Sequence, residues 1–333
     1  MALYRRRVQK IGKATFIITL PASWAREVGL ESRSEVFLEV LPDMSLRVYT
    51  SVRKMDRDIE AQITIDERYN EHDVAREIIA YYIAGISMIK LLYSRVSRSI
   101  VDRGIDIARD RLIGLEVIDE DVDTITLQIV VDPNLSDIES VVKRLKRIAI
   151  SMHRDIILYM TKDADLSILE SVVSRDNLAD KLYLLALRQL TQVLKDPHEM
   201  SKRGIDHIEA IHRVMFIKSL ERVADHAVNI AKTVKLVNSI PKDIVELYKE
   251  TIEIFDLMSD AFIAMDKQKA IELVKHVEKL KVTDEEIRKK IAMDKSWDPY
   301  LTRLLDAISR IVARTIDTEE IVIDINSIKS LKT

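Results

Sequence analysis

From Ser136 onward the chain is written in helical periodicity, with breaks only at Pro197, Gly204, Pro241 and Pro299. Apolar residues recurring every three to four positions over so long a run must bury their stripes against one another, so this half of the chain has to be a helical bundle. Ser136 and Glu139 have the spacing of a capping box and mark the start. Helices are predicted near 136–160, 165–195, 204–236, 241–265, 267–292 and 298–317, which divide three plus three as a faint internal repeat. Glu319 to Ile325 alternates like a strand and has no assignment.

The first part of the chain has a different texture. Residues 1–50 read as short strands: Val8 to Leu20 interrupted by Gly12, a helical turn or two from Pro21 closed by Gly29, and a hairpin of Ser34–Val40 and Ser45–Tyr49 around Pro42-Asp43. Residues 51–134 are mixed. Ala61–Ile65 reads as a strand, Glu71–Tyr93 and Ser99–Leu112 as helices, and Leu115–Val131 as a hairpin with an acidic tip. The fold class expected is mainly α, with a small β-rich domain and an α+β segment in front.

The sequence also excludes several chemistries. It has no cysteine, so disulfides and thiolate metal sites are ruled out and carboxylate and histidine remain as side-chain ligands. The longest apolar stretch, Ile78–Ile89, is too short to span a bilayer, and no apolar run follows the basic N-terminus. A cytoplasmic protein without membrane insertion is expected. With 52 basic and 55 acidic residues the chain is no polycation, so contact with nucleic acid needs a local patch. There is no glycine-rich phosphate loop, nucleophile–base arrangement or HExxH spacing, and hence no sign of an enzyme.

Two helices carry acids at one-turn spacing: Asp176 with Asp180, and Glu221 with Asp225. Residues four apart share a helix face. Two antiparallel helices would therefore gather four carboxylates, which repel unless a cation sits among them. An all-oxygen set suits magnesium, manganese, calcium or iron. With 55 acids in 333 residues, roughly nine such pairs arise by chance, so spacing alone decides nothing. The apolar surroundings of Asp225 (Val223, Ala224, Ala227, Val228, Ile230, Ala231) favour a buried role; a structural salt-bridge network is the rival. His207, His212 and His226, nearby in sequence, are read as structural, and Trp24, Trp297 and the tyrosines as core.

Leu220-Glu221-Arg222-Val223-Ala224-Asp225-His226-Ala227-Val228-Asn229-Ile230-Ala231 resembles the signature segment of PhoU proteins, regulators tied to phosphate transport. The resemblance covers about 135–317. It implies two three-helix bundles (135–237 and 238–318, with a tail at 319–333) and a metal site made by acidic pairs on two helices. Glu221 and Asp225 match one pair, and Asp176 and Asp180 the other, with Asp where Glu is commoner. The ion implied is divalent or ferric: iron, manganese, magnesium or zinc. The second bundle departs from the pattern. Asp306 falls at the first motif position but Arg310 at the second, and pairs such as Asp284/Arg288 fall on the helix before it, so no second metal cluster is expected. An arginine can replace the cation by pairing with the remaining acids.

Arg6-Arg7-Val8-Gln9-Lys10-Ile11-Gly12, Ile17–Leu20, Pro21, Trp24, Ala25, Leu30 and Val36 resemble the AbrB/SpoVT type of DNA-binding domain. In that type two chains interlock hairpins, which implies a homodimer through residues 1–50 and DNA contact by one basic face. The charge agrees in sign: Arg5, Arg6, Arg7, Lys10 and Lys13 stand without an acid in residues 1–13. A solvated basic terminus or a purely dimerising domain is the plainer alternative. Together the resemblances imply an archaeal type of phosphate-uptake regulator, acting on DNA or on a phosphate ABC transporter or sensor protein. A metal-dependent hydrolase and an antitoxin-like transcriptional regulator are the alternatives.

Overall fold

The computed structural model describes residues 3–40, 44–50, 60–94, 97–131, 137–293 and 298–330. It is mainly helical, as the periodicity requires, and divides into two units, residues 1–57 and 58–333.

In the first unit, β1 (Gln9–Ile11) and β2 (Thr15–Ile17) form an antiparallel hairpin that turns at Gly12, whose φ of 65° is one that glycine adopts without strain. A short helix, α1 (Ala22–Glu27), follows Pro21. β3 (Phe37–Val40) and β4 (Leu46–Tyr49) make a second hairpin, with Phe37 stacked on Tyr49; the expected Pro42-Asp43 turn lies outside the described residues. No described side chain here is buried. Val8, Phe16, Ile18, Leu38 and Val40 are all more than half exposed. Trp24 is half-buried rather than core, and Trp297 lies outside the described residues.

The second unit opens with a four-stranded sheet in the order β5-β6-β8-β7. β5 (Glu60–Ile65) pairs parallel with β6 (Met88–Tyr93), which requires the crossover helix α2 (Glu71–Ile83) between them. After α3 (Arg98–Arg109), β7 (Leu115–Glu120) and β8 (Thr124–Ile129) complete the sheet as an antiparallel pair. The expectation of one helix over Glu71–Tyr93 is wrong in its second half. Gly85, at φ 81°, ends α2, and Met88–Tyr93 then alternates with Ile89, Leu91 and Tyr93 buried. α2 and α3 pack closely because Gly104 has no side chain: a Cβ there would lie 2.6 Å from Val74.

α4 (Ile138–Met160), α5 (Ser167–Lys195) and α7 (His207–Val234) form one three-helix bundle, with a short α6 (Pro197–Arg203) in the α5–α7 link. α8 (Lys242–Ala264), α9 (Lys267–Met293) and α10 (Pro299–Ser330) form a second. α4 packs on α8 and α7 on α10, joining the two. Asp137 caps α4 by accepting from the Ser140 backbone N–H; the expected cap, Ser136, lies outside the described residues. The strand-like reading of 319–325 is also overturned. α10 continues to Ser330, and Thr318, Ile321, Val322 and Ile325 are buried at helical spacing.

Two polar connections, built on the buried side chains of His153 and Arg188, hold these parts in place. His153 Nε2 lies 2.8 Å from the Val223 carbonyl and Nδ1 lies 2.5 Å from the Tyr248 hydroxyl, so one ring joins α4, α7 and α8. Arg188 of α5 donates to the Tyr82 and Ile86 carbonyls at 2.8 and 2.6 Å, and Lys195 donates to Ala84 at 2.5 Å. These cations satisfy carbonyls left over at the end of α2 and fasten the sheet module to α5.

Candidate metal centre

α5 and α7 bring the acidic pairs together. Ligand-capable atoms of Asp180, Glu221 and Asp225 all lie within 4.8 Å of one another. Asp176 is one turn away on α5; it stands outside that tight group yet still feels its charge. Burial first, then the charges of Asp180, Asp225 and Glu221, push Asp176 up to about 6. Asp180 is raised too, by burial and then by Glu221 and Asp225, against the opposing pull of Arg111 and Lys218.

Two cations already serve the cluster from its rim. Lys218 Nζ sits 2.6 Å from Glu221 Oε1 and over the Tyr183 ring at 4.6 Å. Arg222 lies 2.9 Å from Asp225 Oδ2 but 3.7 Å from Glu221 Oε2, too far for a hydrogen bond. Glu221 is only 8% exposed, and its Oε2 and the Asp176 Oδ1 are buried without hydrogen-bond partners. Among the described residues Lys218 and Arg222 form ion pairs with these carboxylates, Arg111 and Lys232 also act on Asp180 and Asp176, and the orphaned oxygens are acceptors. The donor set therefore fits a hard, oxygen-loving cation, with Asp180, Glu221 and Asp225 closest and Asp176 beside them.

The histidines do not join this group. His212 bonds the Ile208 carbonyl and Asp324, His207 is exposed, and His226 is buried and held down to about 4 by burial, then by Arg310. His153 had no local signal in the sequence, because its partners lie 70 and 95 positions away.

In the second bundle, acids on α9 and α10 meet a protein cation. Arg288 on α9 lies 2.8 Å from Asp284 and 2.9 Å from Asp306 of α10, and also donates to Ser309. The arginine that pairs with these acids is thus Arg288. Arg310, the residue at the second motif position, makes no ion pair among the described residues.

Residues 142–234 match the PhoU domain family. The PhoU match runs from α4 to the end of α7 and contains all four acids. No curated protein matches the chain. The PhoU-like segment is thus the first bundle. Among the described residues no helix is long and apolar enough to cross a membrane.

In the first unit, Arg5, Arg6, Arg7, Lys10 and Lys13 are all exposed, and none forms an ion pair among the described residues. Arg6 lies over the Tyr4 ring at 5.6 Å and Lys10 over Phe16 at 5.5 Å, so two of the five cations are steadied by aromatic faces.

Proposed function

We propose that this chain is a non-enzymatic, cytoplasmic regulator of phosphate uptake, with a cation bound at Asp176, Asp180, Glu221 and Asp225. The observation that carries the reading is the coincidence of the PhoU match with the bundle that gathers those acids. Residues 1–50 act as a DNA-binding and dimerising domain of AbrB/SpoVT type, 51–134 as a linking module, and 238–318 as a degenerate second PhoU-like bundle. The output runs through DNA, through a phosphate transporter or sensor protein, or through both. The exposed basic residues and the uncovered apolar side chains of the first unit support DNA contact and self-association.

The test is phosphate uptake in the native host with the chain deleted. Uptake is expected to lose its normal response to external phosphate, and the wild-type chain is expected to restore it. Uptake unchanged by deletion at both high and low phosphate would overturn the proposal.

A further inference from the structure

The two edges of the four-stranded sheet are built differently. β7 is blunted: a bulge between Val117 and Asp119 breaks its register, and Glu116, Asp119 and Glu120 stand exposed along it. β5 carries none of these devices. Ala61-Gln62-Ile63-Thr64-Ile65 has no charge and no proline, and it pairs with β6 in unbroken register. That ladder uses one side of the strand, so the other side is a row of N–H and C=O groups that can template a further strand. Among the described residues, Glu60–Ile65 makes no backbone hydrogen bond beyond the ladder with β6.

The strand that suits this edge is the chain's own β5. A two-fold axis that pairs two edges antiparallel stands perpendicular to the sheet, and residues opposite each other then share a face. To use the whole strand, the axis passes between the two copies of Ile63 or of Gln62. Centred on Ile63, Glu60 faces Asp66, which opposes like charges. Centred on Gln62, Glu60 faces Thr64, Ala61 faces Ile63 and Gln62 faces its own copy, so no like charges meet. The same axis sets the two α2 helices side by side. One flank of α2 packs on α3, which lies toward β7. The free flank, on the β5 side, carries a groove lined by Arg68, Tyr69, Asp73, Arg76, Glu77 and Ala80. Two bases and two acids balance there, and a balanced surface is complementary to itself, as contact between identical copies requires. A partner of one charge sign gains nothing from it.

We propose that β5 pairs antiparallel with β5 of a second copy, centred on Gln62, and joins the two sheets into one. A single pair of short strands falls well under the roughly 1,200–2,000 Å² of stable interfaces. The contact therefore rests for its strength on the pairing of copies proposed for the first unit, and adds a second point of attachment to it.

The chain has no cysteine, so one introduced thiol reports on one place. Gln62 and Asp119 are both exposed and belong to one row across the same face, at opposite edges of the sheet. Gln62→Cys and Asp119→Cys are each made in the full chain and oxidised with glutathione disulfide, and linked dimer is followed on non-reducing gels. Opposed Cα atoms in an antiparallel pair lie about 4.5–5.5 Å apart, within the span of a disulfide. Gln62→Cys should link about tenfold or more faster than Asp119→Cys, because apposed thiols react at a high effective concentration. Light scattering of the unoxidised proteins reports separately whether copies pair through the first unit. A dimer in which Gln62→Cys links no faster than Asp119→Cys would overturn this proposal alone and leave the edge to a strand from another protein. A monomer that also shows no preferential linking at near-millimolar concentration would overturn both. Preferential linking of Gln62→Cys supports the edge pairing in either case.

Discussion

Asp176 sits where burial and three neighbouring carboxylates lift its folded-state pKa from 3.8 to about 6. A raised acid contributes stability that is fully present below its unfolded value and is lost as pH rises through the folded one. Chelated protein should therefore melt at lower temperature as pH goes from 5 to 7. Asp176→Asn should lack that part of the slope and melt at or above wild type at pH 7.5. Thermal melts of the two proteins in chelator across this range check it; parallel curves would remove the electrostatic account. The four acids could be found in the sequence because one-turn spacing inside an apolar stretch is a local signal. Arg288 was only half visible. Its spacing from Asp284 could be read, but its reach to Asp306 depends on how two helices pack. Arg314, whose Nε is buried without an acceptor, carried no signal at all, since a missing acceptor is a property of the folded neighbourhood.

Helices long enough to bury several turns were readable from periodicity, and the departures occurred where a short element mimics another period. Met88–Tyr93 looked like the end of α2 because its apolar residues are nearly continuous; the left-handed Gly85 makes it a strand. Ile321, Ile323 and Ile325 alternate like a strand, yet Ile321, Val322 and Ile325 are the residues that α10 buries. A partner helix, not local pattern, decided the second case. Gly104 is the position where packing of elements is most sharply testable. A methyl group there meets Val74 Cβ and Cγ1 at 2.6 Å and the Glu71 carbonyl at 3.0 Å. Backbone cannot yield as a flexible side chain can, so Gly104→Ala should destabilise the sheet module by about 1–3 kcal/mol despite alanine's better helix propensity. Urea unfolding would show it, and a variant as stable as wild type would mean that α2 and α3 are not so closely packed.

At the scale of the whole molecule, the first unit is too small to bury a core alone, and none of its described side chains is buried. The chain should be a dimer that becomes monomeric when residues 1–50 are removed, as light scattering would report; a full-length monomer at micromolar concentration would contradict this. DNA affinity should fall steeply with salt. Replacing Arg6 and Arg7 by Ala should reduce the salt slope by about two per protomer, as expected for lost phosphate contacts. An unchanged slope in filter-binding or anisotropy titrations would separate these arginines from DNA. The regulator reading hinges on a cation at the carboxylate cluster, and the most direct measurement is thermal melting with chelator and with added Mn²⁺, on wild type and on Asp180→Asn/Asp225→Asn. A ligand at about a hundred times its dissociation constant stabilises the folded state by about 2.7 kcal/mol, so Mn²⁺ should raise the wild-type Tm by several degrees. The double variant should not respond to Mn²⁺, yet without metal should melt no lower than wild type, because its repulsion is gone. Wild-type melting indifferent to both chelator and Mn²⁺, or a double variant that responds as wild type does, would contradict the account.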